Sequence, residues 1–176
     1  KGIPYLRAYS KYTPTSPRSF MPQEQGQRDL VARMKLIPNK AVIKGRKMVF
    51  LDDSIVRGTQ LKDNALELRK SGATEVHMRI ACPPLLFPCD FLNFSQSRSI
   101  LELAGRKAIN QLGGEEKDLA EYADPDSEKH AELIATVARN LNLDSLMYQR
   151  LDDLVEAIGL PKEKLCTHCW DGSSYF

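Results

Sequence analysis

"MVFLDDSIVRGTQ", residues 48–60, is the stretch on which the fold turns. Four apolar residues, Met48 to Leu51, run into two adjacent aspartates, Asp52 and Asp53. A short apolar run closed by turn-forming residues reads as a buried strand. Past the loop, Leu61, Ala65, Leu66 and Leu68 recur at helical spacing, and Gly72 follows as a stop. That pattern predicts a helix over 59–71. "ATEVHMRIA", residues 73–81, then predicts a second strand. Strand, helix and strand in this order make a βαβ unit, which requires a parallel sheet. The fold class is therefore α/β. The acid pair sits at the carboxyl end of a parallel strand, where open α/β sheets place their ligands.

Working outward, residues 4–9 predict a short strand. Residues 10–28, "SKYTPTSPRSFMPQEQGQR", are rich in Ser, Thr, Pro and Gln. A polar stretch of that length within a domain is expected to be a functional loop. "RDLVARMKL" reads as helical or irregular, and "AVIKGRK", within 39–47, as hairpin-like. Toward the carboxyl end, 99–111 and 127–140 carry helical periodicity, with Asp126 or Ser127 as the cap of the second. "SLMYQRLDDLVEAIGL" predicts a third helix, ending at Gly159. The expected organisation is an α/β core over 1–95 and a helical extension over 96–176.

The chain has 176 residues and a net charge of +2. It is long enough for one domain with a core, and its charge is too balanced for a nucleic-acid footprint. No apolar run approaches the ~20 residues that span a bilayer, and no secretory signal is read at the start. A cytoplasmic location is expected. The opening "KGIPYLRAYS" lacks an initiator Met and predicts a piece of a longer protein.

The loop 54–59 suits an anion. The amino end of a helix offers unpaired N–H groups and a partial positive charge. Gly58 lets the main chain come close, and Ser54 and Thr59 add hydroxyl donors. Together they suit a phosphate monoester. Asp52 and Asp53 would repel that phosphate. They can instead accept hydrogen bonds from sugar hydroxyls or hold Mg²⁺ shared with the ligand. A phosphate and a diol one loop apart describe a ribose 5-phosphate. The plain alternative is a capped strand–helix turn with solvated carboxylates.

"VFLDDSIVRGTQ" resembles the PRPP-binding motif of type I phosphoribosyltransferases, and its "DDSIVRGT" wording resembles the amidophosphoribosyltransferase family. "GIPY", "RMKL", "GATEVHMRIACPP", "FPC" and the terminal CxxC support the same likeness. It implies an incomplete type I phosphoribosyltransferase fold: a parallel sheet with flanking helices and a helical extension. It also implies that ammonia displaces pyrophosphate from PRPP to give 5-phosphoribosylamine in purine synthesis. In that scheme Asp52 and Asp53 hold the ribose hydroxyls, directly or through Mg²⁺. Ser54, Ile55, Val56, Arg57, Gly58 and Thr59 cradle the 5′-phosphate. Arg33 and Lys35 face the pyrophosphate, and 10–28 closes as a lid in which Lys11 and Arg18 have no settled role. The ammonia would come from a glutaminase domain absent from this chain. Purine nucleotides would act as inhibitors, and the family assembles as a homo-oligomer, usually a tetramer. The fragment alone is expected to be inactive. A PRPP-sensing regulator and a salvage phosphoribosyltransferase are the alternative readings. The first would need a basic surface; the second would lack the CxxC.

Four cysteines remain: Cys82, Cys89, Cys166 and Cys169. Without a secretory context, reduced thiols or metal ligands are expected rather than a disulfide framework. Cys166-Thr-His-Cys169 by itself reads as a zinc half-site, a redox pair or chance. The resemblance implies Cys89, Cys166 and Cys169 as ligands of a [4Fe–4S] cluster whose fourth ligand lies upstream. Cys82, where the family places a small residue, is expected to pack, with a local four-cysteine site as the competing idea. His168 lies inside the CxxC and could bind metal, whereas His77 and His130 have no evident catalytic partner.

Overall fold

The computed structural model describes residues 2, 4–11, 36–89, 91 and 100–173. Its described residues fall into two compact units, 1–48 with 67–75, and 49–66 with 76–176. Arg33, Lys35, Arg18 and almost all of the expected lid lie outside the described residues.

In the first unit β1 (Tyr9–Lys11) pairs antiparallel with β2 (Leu36–Pro38), Ser10 opposite Ile37. The expected strand over 4–9 thus begins only at Tyr9. The expected hairpin over 39–47 is instead a single helical turn, α1 (Lys40–Ile43). Ile43 is fully buried, and Gly45, at φ +75°, donates its N–H to the Gly72 carbonyl at 2.8 Å. Burying Ile43 and turning at a glycine leaves no second strand to pair. Lys47 and Glu75 close the unit with an ion pair at 2.6 Å.

The βαβ expectation holds. β3 (Lys47–Asp52) leads through α2 (Thr59–Lys70) to β4 (Glu75–Ile80). The sheet order is β3-β4-β5, and it is parallel. β5 (Ser145–Tyr148) is a correction, because this segment carried the helical reading. Met78 pairs with Leu146 and Ile80 with Tyr148. Asp144 starts the pairing on both sides of one peptide: its N–H donates to the Val76 carbonyl at 2.9 Å, and its Oδ2 accepts from the Val76 N–H at 2.7 Å. The open edge of β4 thus overrides local helical preference. The helix begins only at α6 (Leu151–Ile158), and Gly159 ends it in the left-handed region as expected.

One sheet face stays exposed. Val49 is 47% exposed, Leu51 81% and Met147 58%. The opposite face supplies Val76, Met78, Ile80 and Leu146 to the core. The remaining α-helices among the described residues are α3 (Ala104–Gln111), α4 (Leu119–Ala123), α5 (Glu128–Asn140) and α7 (His168–Asp171). α5 packs on α3, α4 and β5, with Leu133 and Val137 inside. Arg106, buried among these helices, is neutralised by Glu116. Ser127, not Asp126, caps α5, its Oγ accepting from the His130 N–H at 3.0 Å. Ser127→Ala should therefore cost about 1 kcal/mol. The expected readout is a lower denaturant midpoint with an unchanged m-value.

Candidate active site at the end of strand β3

The acid pair sits where β3 stops. Asp52 is half-buried and Asp53 exposed. The Asp53 N–H donates to Asp52 Oδ1 at 3.0 Å, and the Asp52 carbonyl accepts from the Ala81 N–H at 3.0 Å. The two acids are thus adjacent in sequence at the end of β3, and the Asp52 main chain is tied to the end of β4. Burial, hydrogen bonding with Asp53 and the charge of Asp53 together hold the Asp52 carboxyl above the usual carboxylate range, although the Asp53 N–H pulls the other way.

From here the loop runs with alternating exposure to the start of α2. Ile55 is buried and anchors it. The Val56 carbonyl accepts from the Ala104 N–H at 2.8 Å, tying the loop to the start of α3. Gly58 is buried at φ +75°, and an added Cβ would lie 2.8 Å from Leu141 Cδ2. Its carbonyl accepts from the Lys62 N–H at 2.9 Å, so α2 begins directly after it. Thr59 and Gln60 follow, exposed, at the helix amino end. The first N–H groups of a helix have no partner within it and attract anions.

The structure thus brings together Asp52, Asp53 and 54–59. Arg57, expected among the phosphate-loop residues, is ion-paired with Glu102 at 3.0 Å. The bracing by Glu102, Ala104 and Leu141 was not read from the sequence. No local signal carries it, since those residues lie 40 or more positions away and look like ordinary helix-flanking residues.

Burial pushes the Cys82 thiol up to about 11, and the charge of Asp53 adds to this. Trp170 Nε1 is buried with no acceptor at hydrogen-bonding distance. Tyr148, at the end of β5, is raised by burial and then by Cys82. Cys82 follows Ala81, whose N–H meets the Asp52 carbonyl, at the strand end that carries the acid pair. Cys169 is pushed up to about 11, first by burial, then by the Cys89 and Cys166 thiols. Among the described residues no three His, Cys, Asp or Glu side chains are placed to share a metal ion. His168 Nδ1 instead meets the Ser173 carbonyl at 2.7 Å.

A cleft of about 720 Å³ lies elsewhere, between α5 and β5, lined by Ile134, Ala135, Leu143 and Met147 among others. Neither aspartate nor any residue of 54–59 lines it.

No protein-family model matches the chain. Individual proteins do. The chain is 32% identical over 172 residues to the amidophosphoribosyltransferase of Methanocaldococcus jannaschii, which is 97% of this chain and 30% of that protein. The enzyme of the same name from Mycobacterium tuberculosis is 33% identical over the same share of the chain and 28% of its own length. That of Pyrococcus horikoshii is 48% identical over 88 residues, half of this chain. Among solved structures, glutamine PRPP amidotransferase from B. subtilis, complexed with ADP and GMP, superposes with a TM-score of 0.69 at 27% identity, over 98% of this chain and 33% of that one. A second, described as the allosteric regulatory enzyme of purine biosynthesis, gives the same score over 99% of this chain. The chain spans about 30% of the length of the first of these relatives. Across nearly all of its own length, this chain is therefore a counterpart of one segment of the amidophosphoribosyltransferases, carrying part of their phosphoribosyltransferase fold.

Proposed function

We propose that this segment binds the ribose 5-phosphate half of PRPP within a longer enzyme that replaces pyrophosphate by ammonia to give 5-phosphoribosylamine. The observation that carries the reading is the junction itself: two adjacent carboxylates, then a glycine-containing loop that ends on a helix amino terminus. The names of the relatives support the same reaction over the regulatory and salvage alternatives.

The roles follow from charge and reach. The N–H groups at Gly58, Thr59 and Gln60 take the 5′-phosphate, aided by the Ser54 and Thr59 hydroxyls. Arg57 is close by, paired with Glu102. Asp52 and Asp53 accept from the ribose hydroxyls. Adjacent carboxylates also fit Mg²⁺, which binds through one or two carboxylates together with substrate phosphates. Bound there, Mg²⁺ supplies charge neutralisation for the departing pyrophosphate. Arg33 and Lys35 are assigned to the pyrophosphate side, and 10–28 to the lid. The ammonia comes from a glutaminase part of the longer protein. ADP and GMP, present in the B. subtilis complex, carry the same ribose 5-phosphate group and compete for the loop. A homo-oligomer in the cytoplasm completes the reading.

The iron–sulfur expectation fits this chain only in part. The residues it names are Cys89, Cys166 and Cys169, and the described residues offer no three side chains placed to share a metal ion. No step is assigned to a cluster.

Titrating the acid pair tests the reading. PRPP–Mg²⁺ binding needs both carboxylates ionised, and Asp52 ionises later than an ordinary aspartate. Affinity should therefore fall on acidification at a pH above the usual carboxylate range, as measured by calorimetry. The stability sign is opposite. Because folding raises this pKa, stability is lost as pH rises from the ordinary value of 3.8 through the folded one. Asp52→Asn should therefore raise Tm at neutral pH while it weakens PRPP binding. A variant that binds PRPP as well as the parent chain would refute the assignment.

A further inference from the structure

We infer that Glu102 is a positioning residue: it holds Arg57 by one nitrogen, so that the guanidinium stands ready for the phosphate of a bound sugar phosphate. The inference rests on the reading of 54–59 as a phosphate loop. The loop main chain is fixed on both sides of Arg57. Ile55 is buried, the Val56 carbonyl accepts from the Ala104 N–H at 2.8 Å, and Gly58 is walled by Leu141. An arginine on so fixed a backbone still has side-chain freedom to lose. Glu102 removes part of it, because Arg57 Nε lies 3.0 Å from Glu102 Oε2. Val56 and Arg57 are thus met by Ala104 and Glu102, which belong to one short segment. That segment is itself anchored. Glu102 ends the 3₁₀ turn Ile100–Glu102, and the Ile100 carbonyl accepts from the Leu103 N–H at 3.2 Å. Leu103 is buried, and an added Cβ at Gly105 would lie 2.9 Å from the Leu85 carbonyl oxygen. Glu102 is therefore presented from a packed base.

The chemistry of the pair indicates what it does. The Arg57 and Glu102 side chains are 52% and 39% exposed. An ion pair that open to water adds little to folding stability. It does fix a direction. A guanidinium presents its N–H donors in a rigid fork that matches phosphate oxygens. The contact with Glu102 is made through Nε, and Nη1 and Nη2 have no partner among the described residues. Those terminal nitrogens are what a phosphate takes in a bidentate contact. A side chain that is already ordered loses less freedom when the ligand arrives. Glu102 carries the same sign of charge as the ligand, so any favourable effect it has on a phosphate passes through Arg57.

The test titrates ribose 5-phosphate into the longer enzyme and its variants by calorimetry. Arg57→Ala should weaken binding about 10- to 100-fold, the worth of one charge-assisted hydrogen bond. Glu102→Ala should weaken it about 2- to 10-fold, the cost of ordering one long side chain. Glu102→Gln keeps an acceptor at the same reach and should bind between Glu102→Ala and the parent; it carries the test where Glu102→Ala does not fold. In the Arg57→Ala background Glu102→Ala should add no further loss, a result that a merely structural role would not give. Unchanged or tighter binding in Glu102→Ala, or an equal loss with and without Arg57, overturns the inference and leaves the phosphate loop standing. A parent enzyme that does not bind ribose 5-phosphate overturns the loop reading itself, and this inference with it.

Discussion

Asp52→Asn combined with Asp53→Asn should abolish transfer, even with ammonia supplied directly to the longer enzyme. Each hydrogen bond between a charged group and its partner is worth about 1.5–3 kcal/mol. Removing two such acceptors therefore weakens PRPP binding by about 10²- to 10⁴-fold. The two side chains are adjacent and share a hydrogen bond from the Asp53 main chain, so their contributions should not add simply. The single variants and the pair, titrated with PRPP and Mg²⁺ by calorimetry, give the coupling. Asparagine keeps size and shape, and the fold should survive, with an unchanged circular dichroism spectrum. Transfer at the parental rate in the double variant would exclude the acids from the site.

Gly58→Ala should damage both stability and binding. The residue sits at φ +75°, where any Cβ carries a penalty of about 1–2 kcal/mol. Here the Cβ also meets Leu141 Cδ2 at 2.8 Å. A methyl at the end of a leucine can shift, so the clash adds less than the backbone term would alone. We expect about 2–3 kcal/mol in total, read as a lower denaturant midpoint, and weaker PRPP binding because the loop amides move. Leu141→Ala removes a buried leucine and is itself destabilising, so relief of the clash is read as a favourable coupling in the double-mutant cycle, covering only part of the Gly58→Ala loss. A coupling that cancelled the whole loss would show that the left-handed backbone is not required.

Much of this arrangement is legible in the sequence, for identifiable reasons. Met48 to Leu51, the two aspartates and Gly58 are contiguous, and a βαβ unit is a local object. Period and punctuation suffice to place Thr59–Lys70 and Glu75–Ile80. Ser127 as a cap is equally local. What failed was decided by distant partners. "SLMY" reads as helix with its neighbours, yet β4 offers it an open edge 66 or more residues away. "AVIKGRK" looks like two short strands until Ile43 is buried and Gly45 bonds to Gly72. Cys82 reads as a spare thiol, and only the pairing of Ala81 with Asp52 sets it at the strand end that carries the acid pair. The pairing of Arg57 with Glu102 is of the same kind.

The Val56–Ala104 hydrogen bond has a practical consequence for anyone hoping to transplant the motif. Cut loose after residue 95, the peptide 48–95 would keep every letter of its signature yet forfeit a donor, a counter-ion and the leucine that walls its glycine. It would be a cassette in spelling only, because the shape proposed to greet a phosphate is moulded from outside.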